Sequence, residues 1–125
     1  MPADKAEFAR VHERLTGILR KYEKGALKGT DEPGMYTLIG PAVEQTGKNP
    51  VWIGAVRTGK NYVSFHFMPL YGCGDLVRGL SPALKKRMQG KSCFNFTAVD
   101  EALFKELAVV TALGVKRFKE LNYIA

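Results

Sequence analysis

At 125 residues, with 46% apolar and 25% charged side chains, the chain has the size and composition of one globular domain, 1–125, built on a single core, which excludes a disordered, fibrous or repeat-built protein. No apolar run approaches the eighteen or so residues of a spanning helix, and the charged opening MPADKAEFARVHERL lacks the apolar centre of a signal peptide, so the expectation is a cytoplasmic protein without a membrane role. The net charge of +7 collects in two places: residues 1–28, with seven basic and four acidic side chains, and residues 81–91, where Lys85, Lys86, Arg87 and Lys91 meet no acid.

Taken in chain order, residues 3–24 are predicted as an amphipathic helix, because Phe8, Val11, Leu15, Ile18, Leu19 and Tyr22 recur at spacings of three and four. EKGALKGTDEPG follows, and its glycines and proline read as a loop. MYTLIG is a short strand, TGKNP a turn and VWIGAVR a second strand, in which Gly54 marks a bulge or a close backbone approach. The short TGK connection leads to a third strand, NYVSFHFM, as an antiparallel hairpin that ends at Pro69. Beyond a GCG loop, Ser81 and Pro82 supply a hydroxyl cap and a first-turn proline for a helix to about Gln89, with Gly90 as its C-terminal cap. KSCFNFT is the fourth strand. The closing segment DEALFKELAVVTALGVKRFKELNYI is a helix with Leu103, Leu107, Val110, Leu113 and Leu121 on one face. The order α-β-β-β-α-β-α implies an α+β fold, an antiparallel sheet of about four or five strands with helices packed on one side.

Alternation divides the two best strands. Val63, Phe65 and Phe67 point one way, and Tyr62, Ser64, His66 and Met68 the other; Phe94 and Phe96 oppose Cys93, Asn95 and Thr97. With the phenylalanines against the helices, the small polar residues fall on an uncovered face. Tyr62, Ser64, His66, Cys93 and Asn95 are therefore expected to line a shallow semi-polar pocket for a small polar ligand, with Arg57 and Trp52 at its rim. The competing expectation is that this face meets a second copy as a homodimer.

Several chemistries find little in the sequence. His66, Cys73 and Cys93 are zinc-ligand types, but they lack the close spacing and the fourth ligand of a structural site. Cys93 and His66 would form a nucleophilic pair only if their strands were neighbours, and no third group is evident to orient the imidazole. QGKS has Lys85 where a phosphate loop needs its first glycine, and it leaves a helix for a strand, the reverse of the motif. No cofactor loop is present, and the two cysteines read as free thiols. The cations of 85–91 are a weak anion-binding candidate, better read as a solvated face, and no nucleic-acid motif accompanies them.

Across Lys60 to Leu107 the features are a K-x-YVS-x-H strand, a serine-proline-led helix, a GKS-x-F-x-F strand and an acid-led final helix from about Asp100. In these the chain resembles the YdhG-like group of small bacterial domains, a likeness that extends over most of residues 8–120. The resemblance implies a small single α+β domain and a non-catalytic binding or interaction role, with frataxin-like iron handling as an alternative. Iron would call for hard carboxylate oxygens, and the first helix offers Asp4, Glu7, Glu13 and Glu23 among seven basic residues.

Overall fold

A computed structural model of the chain describes residues 5–124. Helix α1 spans Lys5–Arg20, and its buried stripe of Phe8, Val11, Leu15 and Leu19 follows the predicted spacing. Ile18 and Tyr22 sit at the margin, half-buried against the core. The first two positions of the predicted helix, and with them Asp4, lie outside the described residues.

The segment expected to be a loop is a strand. Lys28–Glu32 forms β1 and pairs antiparallel with β2, Met35–Gly40. Glycine and charge hid it, because β1 is an edge strand whose side chains are almost all in solvent, so no apolar alternation was needed. Its hairpin turns at Pro33 and Gly34, where the glycine takes a φ of 72° that proline-led turns demand of the next residue.

Strand β3, Val51–Thr58, pairs with β2 and with β4, Val63–Phe67. The register between β2 and β3 slips opposite Leu38 and Ile39, leaving Ile53 as the extra residue. Gly54 follows it, and a Cβ there would lie 2.8 Å from the His66 carbonyl and 2.9 Å from Leu19 Cδ2. Both sequence readings of that glycine, a bulge and a close approach, therefore apply.

Pro69 ends β4 one residue earlier than Met68. The GCG region is not a loop but two short helices, α2 at Pro69–Gly72 and α3 at Gly74–Arg78. Ser81 does cap α4, its Oγ accepting from Leu84 N, but α4 covers only Pro82–Lys85. Met88–Gln89 is instead β5, and Gly90, with a φ of 76°, turns it back into β6, Cys93–Phe96. The positive-φ glycine was correctly sensed and attached to the wrong element. Helix α5, Glu101–Glu120, is capped by Asp100, whose carboxylate accepts from Leu103 N.

The sheet therefore has six strands rather than four or five, all antiparallel, in the order β1-β2-β3-β4-β6-β5. The α+β class stands, and α1 and α5 pack together beneath the sheet, with α1 running under β2, β3 and β4. Phe65, Phe67, Phe94 and Phe96 face them and are fully buried, and Phe96 meets Phe104 edge-on. On α5 the buried stripe is Leu103, Leu107, Val110, Gly114 and Phe118, with Phe104, Thr111 and Val115 beside it. Leu113 and Leu121, assigned to that face from the sequence, are exposed: the stripe runs through the smaller Gly114, one residue on from Leu113. Among the described residues no helix is long and apolar enough to cross a membrane.

Candidate functional site

The opposite face of the sheet carries a concavity of about 470 Å³. Four strands and one turn build it. β4 and β6 pair so that Ser64 lies opposite Asn95 and His66 opposite Cys93, which puts all four side chains on one surface, as alternation requires. β3 sets Arg57 opposite Ser64, and the β3–β4 turn brings Lys60, Asn61 and Tyr62 to one wall. Gln89, opposite Cys93 in the β5–β6 pair, closes the other.

Six of the seven side chains expected from the sequence thus meet: Arg57, Tyr62, Ser64, His66, Cys93 and Asn95. Trp52 does not join them. It stands five residues before Arg57, towards the other end of β3, where it lines a separate apolar groove with Met68, Tyr71 and Phe118. Lys60, Asn61 and Gln89 were missed. The first two lie in the hairpin connection directly before Tyr62, where a tight turn necessarily overhangs the strand face. Gln89 was hidden by its assignment to a helix.

A hydrogen-bond chain organises the floor. Ser64 Oγ donates to Asn95 Oδ1 at 2.9 Å, Cys93 Sγ donates to the same oxygen at 3.6 Å, and Asn95 Nδ2 donates to Gln89 Oε1 at 2.7 Å. His66 Nε2 lies 3.7 Å from Cys93 Sγ. The strands of the cysteine and histidine are neighbours after all, yet the electrostatics do not make them a nucleophile and its base. Burial pushes the Cys93 thiol up, and the Ser64 hydroxyl offsets only part of that. Burial, aided by the Arg57 guanidinium, holds the His66 imidazole below its ordinary range. Both shifts favour the neutral forms, whereas an activated cysteine needs the thiolate stabilised. Among the described residues no carboxylate lines the concavity to orient the ring.

The four cations of the basic segment do not line this site. Lys85 Nζ donates to the Arg78 carbonyl at 3.3 Å, and Lys91 lies over the Tyr71 ring at 5.7 Å, so two of the four cations turn to different neighbours. Lys86 and Arg87 are exposed. His12 is remote, on α1, with Nδ1 3.0 Å from Thr58 Oγ1. Among the described residues no three His, Cys, Asp or Glu side chains come together as a metal-binding group.

No family model matches the chain, and neither a curated protein nor a solved structure matches it significantly.

Proposed function

We propose that this is a non-catalytic binding module of the YdhG-like kind that takes a small polar ligand in the concavity of its open sheet face. One observation carries the reading: six polar or amphipathic side chains from three strands and a hairpin converge on a single hollow around an ordered hydrogen-bond chain. Convergent polar groups in a hollow of this volume are what small-molecule sites require. The neutral thiol and imidazole, with no carboxylate between them, favour binding over turnover. The free thiols of Cys73 and Cys93 fit a reducing, cytoplasmic setting.

A fragment screen followed by backbone amide NMR tests the proposal. Binders should shift resonances of residues 57–66 and 89–95 together, and Asn95→Leu, which removes the node of the network, should abolish those shifts. A screen whose hits all cluster elsewhere would sink the reading. Thiol-dependent turnover, lost in Cys93→Ser, would replace it with an enzyme.

A homodimer through the same side is the second reading, favoured by the exposure of Trp52 (44%), Tyr62 (38%) and Met68 (41%). A strict monomer by light scattering at high concentration removes it. The iron-handling role implied by the resemblance draws no support from Glu7 and Glu23, since Glu7 on α1 pairs with Arg10, and Glu23, just past the end of α1, faces Arg20.

A further inference from the structure

The amide network on the floor of the concavity ends on a donor. Asn95 Oδ1 already accepts from Ser64 and Cys93, and Gln89 Oε1 accepts from Asn95. That head-to-tail order occupies the amide oxygens of the floor and leaves the Gln89 NH₂ group as its free end. The rim adds Arg57 and Lys60, with no acid among the lining residues. Arg10, Arg14, Arg20 and Arg117 each pair with a carboxylate, but Arg57 has none among the described residues. It rises from β3, one residue before the strand ends and opposite Ser64, rather than from a loop. A guanidinium presents a fixed fork of donors that matches the two oxygens of a planar or tetrahedral oxyanion. A neutral imidazole beside it adds hydrogen bonding without competing charge.

We infer that the ligand is a small organic oxyanion, a carboxylate or a phosphate monoester, whose oxygens Arg57 and Lys60 hold while its uncharged part lies over Gln89 and Asn95. The inference rests on the concavity being a ligand site and adds the sign of the ligand's charge. A cation would face two like charges, and a neutral molecule would leave the fork of Arg57 unused.

Matched probes separate the two levels. Benzoate, phenyl phosphate and the uncharged benzamide are titrated at low salt into the full chain and followed by amide NMR. The anions should shift residues 57–66 and 89–95 and bind at least about tenfold more tightly than benzamide, the effect of one charge-assisted contact. Arg57→Gln should erase that preference, and Lys60→Gln should reduce it, while Arg87→Gln leaves it intact. A preference for phenyl phosphate over benzoate, or the reverse, supports the inference and identifies the oxyanion. Benzamide binding there as tightly as benzoate overturns the charge assignment and leaves the ligand site standing. Equal losses in Arg57→Gln and Arg87→Gln mean diffuse attraction to a basic protein and overturn it too. Absence of shifts at these residues for all three probes overturns both levels.

Discussion

Gly114 packs α5 tightly against Phe67 and Pro69, and replacing it with alanine sets two known effects against each other. A Cβ at this position would lie 2.6 Å from Phe67 Cζ and 2.9 Å from Pro69 Cβ, separations at which one of the partners must move. Neither moves easily: Phe67 is fully buried and its ring neighbours that of Phe65 at 6.3 Å, and Pro69 is buried at the start of α2. Overpacking of this kind costs typically 1–3 kcal/mol, and three short contacts with two rigid partners, the shortest of them to Phe67 Cε2, place the cost in the upper half of that range. Against it stands the gain of about 1 kcal/mol for alanine over glycine inside a helix. The net loss should be about 1–2 kcal/mol, or a fall in Tm of roughly 4–8 °C for a domain of this size. Thermal unfolding followed by circular dichroism reads it directly. The double variant Phe67→Leu/Gly114→Ala should lose less than the sum of the singles, because leucine vacates the space of the outer ring atoms. An unchanged or raised Tm in Gly114→Ala would mean that propensity wins, and that α5 does not rest on Phe67 as described.

Ser81→Ala removes the cap of α4 and a hydroxyl that donates to Glu106 Oε1 at 2.6 Å, so it should cost about 2.5–4 kcal/mol in urea unfolding, from a cap of about 1 and a charged hydrogen bond of about 1.5–3; a loss below about 0.5 kcal/mol would refute the link from α4 to α5. His66 and His12 are both held below the ordinary 6.5, chiefly by burial, so the unfolded chain takes up protons first. Their contribution to stability is complete above 6.5 and is lost as the pH falls below it towards the folded-state values; an NMR titration of His66 with a midpoint above 6.5 would contradict this. Cys93, its thiol pushed above 9.0, should be alkylated by iodoacetamide at neutral pH more slowly than a free cysteine, as mass spectrometry can follow, and faster labelling would revive the nucleophile.

The parts of the fold readable in advance were those where burial imposes a period. The phenylalanine alternation in β4 and β6 and the spacing of α1 each answer to a helix–sheet core, and the side chains opposite those phenylalanines were placed on the right face for the same reason. β1 escaped because an exposed edge strand has no apolar face to display, and β5 because two residues are too few for any period. Ser81 and Gly90 were both read correctly as punctuation, yet α4 stops at Lys85 and Gly90 serves a hairpin. Punctuation fixes where the backbone turns without saying what lies between. Trp52 failed for a different reason: five residues from Arg57 along an extended strand, it lies roughly 17 Å away, beyond the reach of the same hollow.

The margins of the sheet decide how this protein can meet its own kind. One margin is β1, where Lys28, Asp31 and Glu32 crowd five residues with charge, and the other is β5, only two residues long. A charged strand and a very short one are both poor templates for adding a foreign strand through backbone bonds. Open-ended stacking of native molecules into fibrils is thereby discouraged at both ends. Association through side chains is not blocked in the same way, and around the exposed Trp52 and Met68 it would depend on a few residues rather than on the main chain. An interface of that kind can be strengthened or erased by single substitutions, leaving the sheet beneath it intact.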